Sequence, residues 1–118
     1  MWKPLTDEGL VEAYKREFIG GNAPRGLVRL LEKLNQEKYR GLYAVTSLCK
    51  LRFTTAHVEN KHAYVAVLER DGEFAVVYAP KGARVASATR ICKYEELFDV
   101  VELYLMRLVM EKEEGEQA

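Results

Sequence analysis

Residues 63–79 read AYVAVLERDGEFAVVYA, and the reading of this stretch decides the fold. Two apolar runs, Ala63–Arg70 and Glu73–Ala79, flank Asp71-Gly72. An Asp-Gly pair between such runs predicts a two-residue type I′ turn, in which both central residues take positive φ. That turn places Arg70 opposite Glu73 and sets the register of the pair. Side chains alternate across a strand, so Val65, Val67, Phe74, Val76 and Tyr78 share one face. Tyr64, Ala66, Leu68, Ala75, Val77 and Ala79 share the other. Both faces are apolar, whereas an antiparallel sheet with one solvated side shows a polar face. The hairpin is therefore expected to be central and covered on both sides.

Working outward, Leu42–Thr55 is rich in residues that suit a pleated surface, among them Tyr43, Val45, Phe53 and Thr54. Cys49, Leu51 and Phe53 alternate with Lys50, Arg52 and Thr54, the pattern of a half-buried strand. The stretch reads as a strand broken near Ser47. Leu42, Val45, Leu48 and Cys49 also fit a helical spacing, so both readings stay open for 42–47. Residues 56–62 are polar and read as a loop. Beyond the hairpin, Pro80-Lys81-Gly82 reads as a turn and Arg84–Ile91 as a further strand.

Tyr94–Glu111 has the periodicity of a long helix. Leu97, Phe98, Val101, Tyr104, Leu105 and Leu108 form one stripe. Val100, Leu103, Met106, Val109 and Met110 widen it beyond the apolar face of an ordinary surface helix. Such a helix is expected to be sandwiched or shared between subunits. Residues 113–118 read as a frayed tail.

At the other end, Thr6 ahead of Asp7 and Glu8 reads as a capped helix start. Leu10, Val11, Tyr14 and Phe18 follow at helical spacing, and Gly20-Gly21 ends the run. Pro24 suits the first turn of a second helix, whose stripe is Leu27, Val28, Leu30, Leu31 and Leu34. The expected fold is α+β: an N-terminal helical hairpin, an antiparallel sheet of about four strands, and a long C-terminal helix packed on the sheet. Residues 1–118 are read as one domain, without internal repeats or linkers.

The chain of 118 residues is 48% hydrophobic and 31% charged, which excludes a disordered chain, a collagen-like repeat and a histone-like polycation. Eighteen bases balance eighteen acids, yet the charges are segregated. Lys15–Arg52 carries nine bases against three acids, and Glu95–Ala118 carries eight acids against two bases. Three readings follow: ordinary solvated surfaces, an acidic end packed beside the basic part, or a basic part meeting an anionic partner. Cys49 and Cys92 make no C-x-x-C pair and read as reduced core thiols. No signal-type segment opens the chain, and no run approaches the ~18 apolar residues of a membrane span. The expectation is a cytoplasmic protein with no membrane contact.

Motifs for chemistry are sparse. No Gly-rich loop with a following Lys-Ser/Thr pair occurs. His57-Val58-Glu59 matches the His-x-Glu element of the zinc deaminases, but their Pro-Cys-x-x-Cys is missing because Cys92 stands alone. A metal site from His57, Glu59 and His62 would need them to converge, which a loop allows, but a solvated polar loop explains them as well; nothing in the spacing favours Ser47 or Cys49 with a loop His as nucleophile and base, so no catalytic residue, metal ligand or cofactor is assigned. Tyr39-Arg40-Gly41-Leu42-Tyr43-Ala44-Val45 echoes the RNP1 strand of RNA-recognition domains only in part, since its two aromatic positions are unmatched.

The reading that best fits these observations is a small non-enzymatic protein–protein interaction module, self-associating as a homodimer or meeting another protein. Its interface residues would be Val100, Leu103, Met106, Val109 and Met110. The alternative is a nucleic-acid-binding module with Arg25, Arg29, Arg40, Lys50 and Arg52 as anion-binding residues. A small-molecule enzyme around Cys49, His57 and His62 is the third reading.

Overall fold

The structure, a computed structural model, describes residues 3–18, 22–47, 50–55, 63–80 and 87–117, without the side chains of 47 and 112–117. The chain runs β1 (Lys3–Pro4), α1 (Leu10–Glu17), α2 (Arg25–Leu34), a 3-10 turn (Glu37–Tyr39), β2 (Tyr43–Ser47), β3 (Lys50–Thr54), β4 (Tyr64–Arg70), β5 (Glu73–Ala79), β6 (Ala88–Cys92) and α3 (Tyr94–Gln117). The strands form one antiparallel sheet in sequential order, β1 to β6. The architecture is α+β, as the sequence pattern predicts.

The central hairpin is as expected. Arg70 pairs with Glu73, and Asp71 and Gly72 take φ of 54° and 83°. Both values lie in the left-handed region that a type I′ turn requires, and its twist matches that of the flanking strands. Val65, Val67 and Val76 are completely buried on one face of β4 and β5. Each such side chain contributes roughly 1.5–3 kcal/mol of transfer free energy.

Among the described residues the sheet has six strands rather than about four. Leu42–Thr55 is not one interrupted strand. It is two strands, β2 and β3, paired antiparallel from Tyr43↔Thr54 to Ser47↔Lys50. Side chains alternate in both strands, so the break near Ser47 is visible in the sequence but the change of direction is not. The strand reading of 42–47 replaces the helical one. The sixth strand is the short β1, whose Lys3 and Pro4 pair with Ala44 and Tyr43. The expected cap at Thr6 is absent too. Helix α1 starts later, at Leu10, after a turn in which the Asp7 carboxylate accepts the Gly9 N–H at 2.7 Å. The Asn35 amide donates to the carbonyls of Leu5 and Asp7 at 2.6 and 2.9 Å, tying the end of α2 to this turn.

Helices α1, α2 and α3 contribute to a core on one face of the sheet. Leu10 and Tyr14 of α1, Leu27, Leu30, Leu31 and Leu34 of α2, and Leu97, Val101, Leu105 and Leu108 of α3 join the inward residues of β2 to β6 there. Gly26 belongs to this packing. A Cβ at that position would lie 3.0 Å from Cε1 of Phe74 and closer still to Cζ, so α2 can approach the hairpin only with glycine there. The expectation of cover on both faces of the hairpin is not met by the helices. On the opposite face Ala66 and Ala79 are buried, whereas Val45, Leu68, Ala75 and Val77 are half-buried and stand outside the core.

Candidate interaction surface

Helix α3 packs its inner side on the sheet through Leu97, Val101, Leu105 and Leu108, each at most 2% exposed. At 100° per residue, Leu103, Met106 and Met110 fall together on the opposite side. They are 56%, 59% and 57% exposed. The excess apolar width read from the sequence therefore resolves into two faces, one inside the core and one turned to solvent. Large apolar side chains grouped in this way mark contact surfaces, whereas scattered ones need no explanation.

Val100 is 4% exposed and works inside the subunit, so it does not join the outer stripe. Val109 is half-buried on the flank between the two faces. There it lines a groove of about 480 Å³ between α3 and the 3-10 turn. Leu105, Met106 and Met110 complete the helical wall, and Lys38, Tyr39, Arg40 and Leu42 form the facing one. The groove opens onto the stripe, giving one apolar surface with a polar edge.

That edge is held by a small network. The Tyr39 hydroxyl donates to Oε2 of Glu102, and Lys38 Nζ lies 3.0 Å from the same oxygen. Burial first, then the hydrogen bond and charge of Glu102, push the Tyr39 phenol well above its ordinary range. The hydrogen bonds from Tyr39 and Lys38 hold the Glu102 carboxyl below the ordinary carboxylate range. Within one subunit, then, the basic part and the acidic helix meet here. Of the groove residues, Tyr39 and Leu42 enter the sequence reading only through the partial RNP1 echo and the strand-or-helix choice for 42–47, and Lys38 and Glu102 are assigned to no site there.

The five candidate anion-binding residues occupy three separate places. Arg25 and Arg29 line an open cavity of about 370 Å³ with Gly26, Glu69, Phe74 and Tyr94. Arg40 sits on the groove edge and pairs with Glu37. Lys50 and Arg52 lie on β3, where the Arg52 guanidinium stacks 4.2 Å over the Tyr64 ring. Cys49, His57, Glu59 and His62 lie outside the described residues. Cys92 is buried, and burial, with the charge of Glu96 against that of Arg90, raises its thiol above the ordinary range. Among the described residues no group of three or more His, Cys, Asp or Glu is placed to hold a metal ion. No described helix is long and apolar enough to cross a membrane.

No protein-family model, curated protein or solved structure matches the chain.

Proposed function

We propose that the chain is a non-enzymatic protein–protein interaction module that self-associates through the outer side of α3, a homodimer being the smallest such assembly. The observation that carries this reading is the solvent-facing stripe Leu103, Met106 and Met110, continuous with the groove beside Val109. Full burial of a Leu or Met side chain contributes roughly 1.5–3 kcal/mol. Association itself costs about 4–15 kcal/mol in lost freedom of motion. Three side chains already about half covered have roughly 3–5 kcal/mol left to contribute from one copy, near the bottom of that cost, so a stable contact draws on the groove and its rim as well.

The division of the basic residues among three sites supports this reading over a nucleic-acid interface, which needs its cations along one track. A buried free thiol at Cys92 fits a reducing compartment such as the cytoplasm. Light scattering at micromolar concentration tests the proposal. The wild-type chain should exceed the 13.5 kDa of one copy, and Met106→Glu should return it to that mass. A wild-type chain that stays monomeric would sink the proposal.

A further inference from the structure

The sheet presents a second apolar surface, on the side away from the helices. Register carries one row of side chains across it from Val45 through Arg52, Ala66 and Val77 to Thr89. A neighbouring row holds Leu68, Ala75 and Ile91. Ile91, on the edge strand β6, is 59% exposed. Within the first row Ala66 is buried and the Arg52 guanidinium stacks 4.2 Å over the Tyr64 ring, so the apolar part open to contact is the small or branched set Leu68, Ala75, Val77 and Ile91 toward β6.

The charges around the two surfaces are opposite. Lys50 and Arg70 border the sheet face and Arg52 lies within it, against Glu73. Helix α3 carries eight acids against Arg107 and Lys112, and Asp99 extends the line of its outer stripe one turn before Leu103. Pairing α3 with a second α3 would bring two strongly acidic helices together, at a like-charge cost. Docking α3 on the sheet face joins apolar to apolar and acid to base.

We infer that the outer stripe of α3 in one copy seats on the outer sheet face of the next, so that copies assemble head to tail. The inference rests on the self-association proposed above and specifies the surface that receives the stripe. Within a subunit the two surfaces point in opposite directions, because the sheet and the helix layer lie back to back between them. Two rigid copies therefore cannot satisfy both contacts reciprocally. The contact is heterologous, and repeated contacts close a ring or continue as an open stack.

Two variants separate this arrangement from an α3–α3 pair. Met106→Glu disables the helix side, and Ile91→Glu disables the sheet side at an exposed position where folding is little affected. Circular dichroism confirms the fold of each. Light scattering should find each variant alone at the mass of one chain. An equimolar mixture should form a one-to-one pair, because each variant keeps the surface the other lacks. Raising salt to about 0.5 M should weaken assembly of the wild-type chain, since unlike charges are being screened.

An Ile91→Glu chain that assembles like the wild type overturns the inference and leaves self-association through α3 standing. A mixture that stays at the mass of one chain also overturns it, as does assembly that strengthens with salt. A wild-type chain that is itself monomeric removes the reading on which the inference rests.

Discussion

Replacing Gly26 with alanine sets two calculable effects against each other. Gly26 lies in the first turn of α2, where alanine in place of glycine gains up to about 1 kcal/mol of helix propensity. The new methyl group would stand 3.0 Å from Cε1 of Phe74 and nearer to Cζ. Phe74 is 4% exposed, and its ring packs 6.5 Å from that of Tyr94, which limits its retreat. Overpacking of this kind costs about 1–3 kcal/mol; the ring is held on the side of Tyr94 but borders the open cavity beside Arg25 and Arg29, so the clash falls in the middle to upper part of that range. The expected balance is a loss of about 1–2 kcal/mol, or a fall in Tm of roughly 4–8 °C for a chain of this size. Thermal unfolding followed by circular dichroism measures it. In a Phe74→Leu background, which removes the far end of the ring, the same Gly26→Ala change should cost less or become favourable. A Gly26→Ala chain that is more stable than wild type would refute the claim that α2 packs against the hairpin at this point.

Three further outcomes follow from the geometry. Gly72→Ala should destabilise by about 1–2 kcal/mol in denaturant unfolding, because φ of 83° is disfavoured for a residue with a Cβ; an unchanged midpoint would count against the type I′ turn. Leu105→Ala, at a site 1% exposed, should lose about 2–5 kcal/mol. Leu103→Ala, two positions earlier, should change subunit stability by less than about 0.5 kcal/mol and instead weaken association. Equal stability losses at the two sites would mean that α3 is rotated from the orientation described. The depressed Glu102 carboxyl contributes stability that is present above the ordinary glutamate range and lost as pH falls through its folded pKa. Wild type should therefore be more stable than Glu102→Gln at neutral pH, with the difference shrinking as pH falls below the ordinary glutamate range and through the depressed folded pKa; a difference that does not shrink in acid would break the link to Tyr39 and Lys38.

How much of this was legible in the sequence depends on the range of the interactions involved. The Asp71-Gly72 hairpin was legible because its turn chemistry is local, and the turn then dictates every cross-strand pair from Arg70↔Glu73 to Tyr64↔Ala79. The excess apolar width of Tyr94–Glu111 was legible as well. Which of its residues face out was not, since Val100 and Leu103 differ only in what the fold brings to them. The helix also continues to Gln117, beyond the last apolar position on which the pattern could report. The reversal between β2 and β3 lacks a Gly or Asn-Gly signal, so alternation alone made two strands resemble one. The Tyr39–Glu102 contact joins residues far apart in the chain, and no local pattern encodes it. The second apolar face of the hairpin was read correctly as apolar. The cover inferred for it is not supplied by any of the helices, which is why that face enters the account as a contact surface.

The central claim is that the outer side of α3 is buried when copies meet. Met106 and Met110 report on this directly, since their thioethers are more than half exposed in one subunit and react with peroxide according to access. Their oxidation can be followed by mass spectrometry as the protein is taken from high dilution to micromolar concentration. The account predicts rapid oxidation of both residues at high dilution and marked protection as concentration rises. Rapid oxidation that is independent of concentration would contradict it.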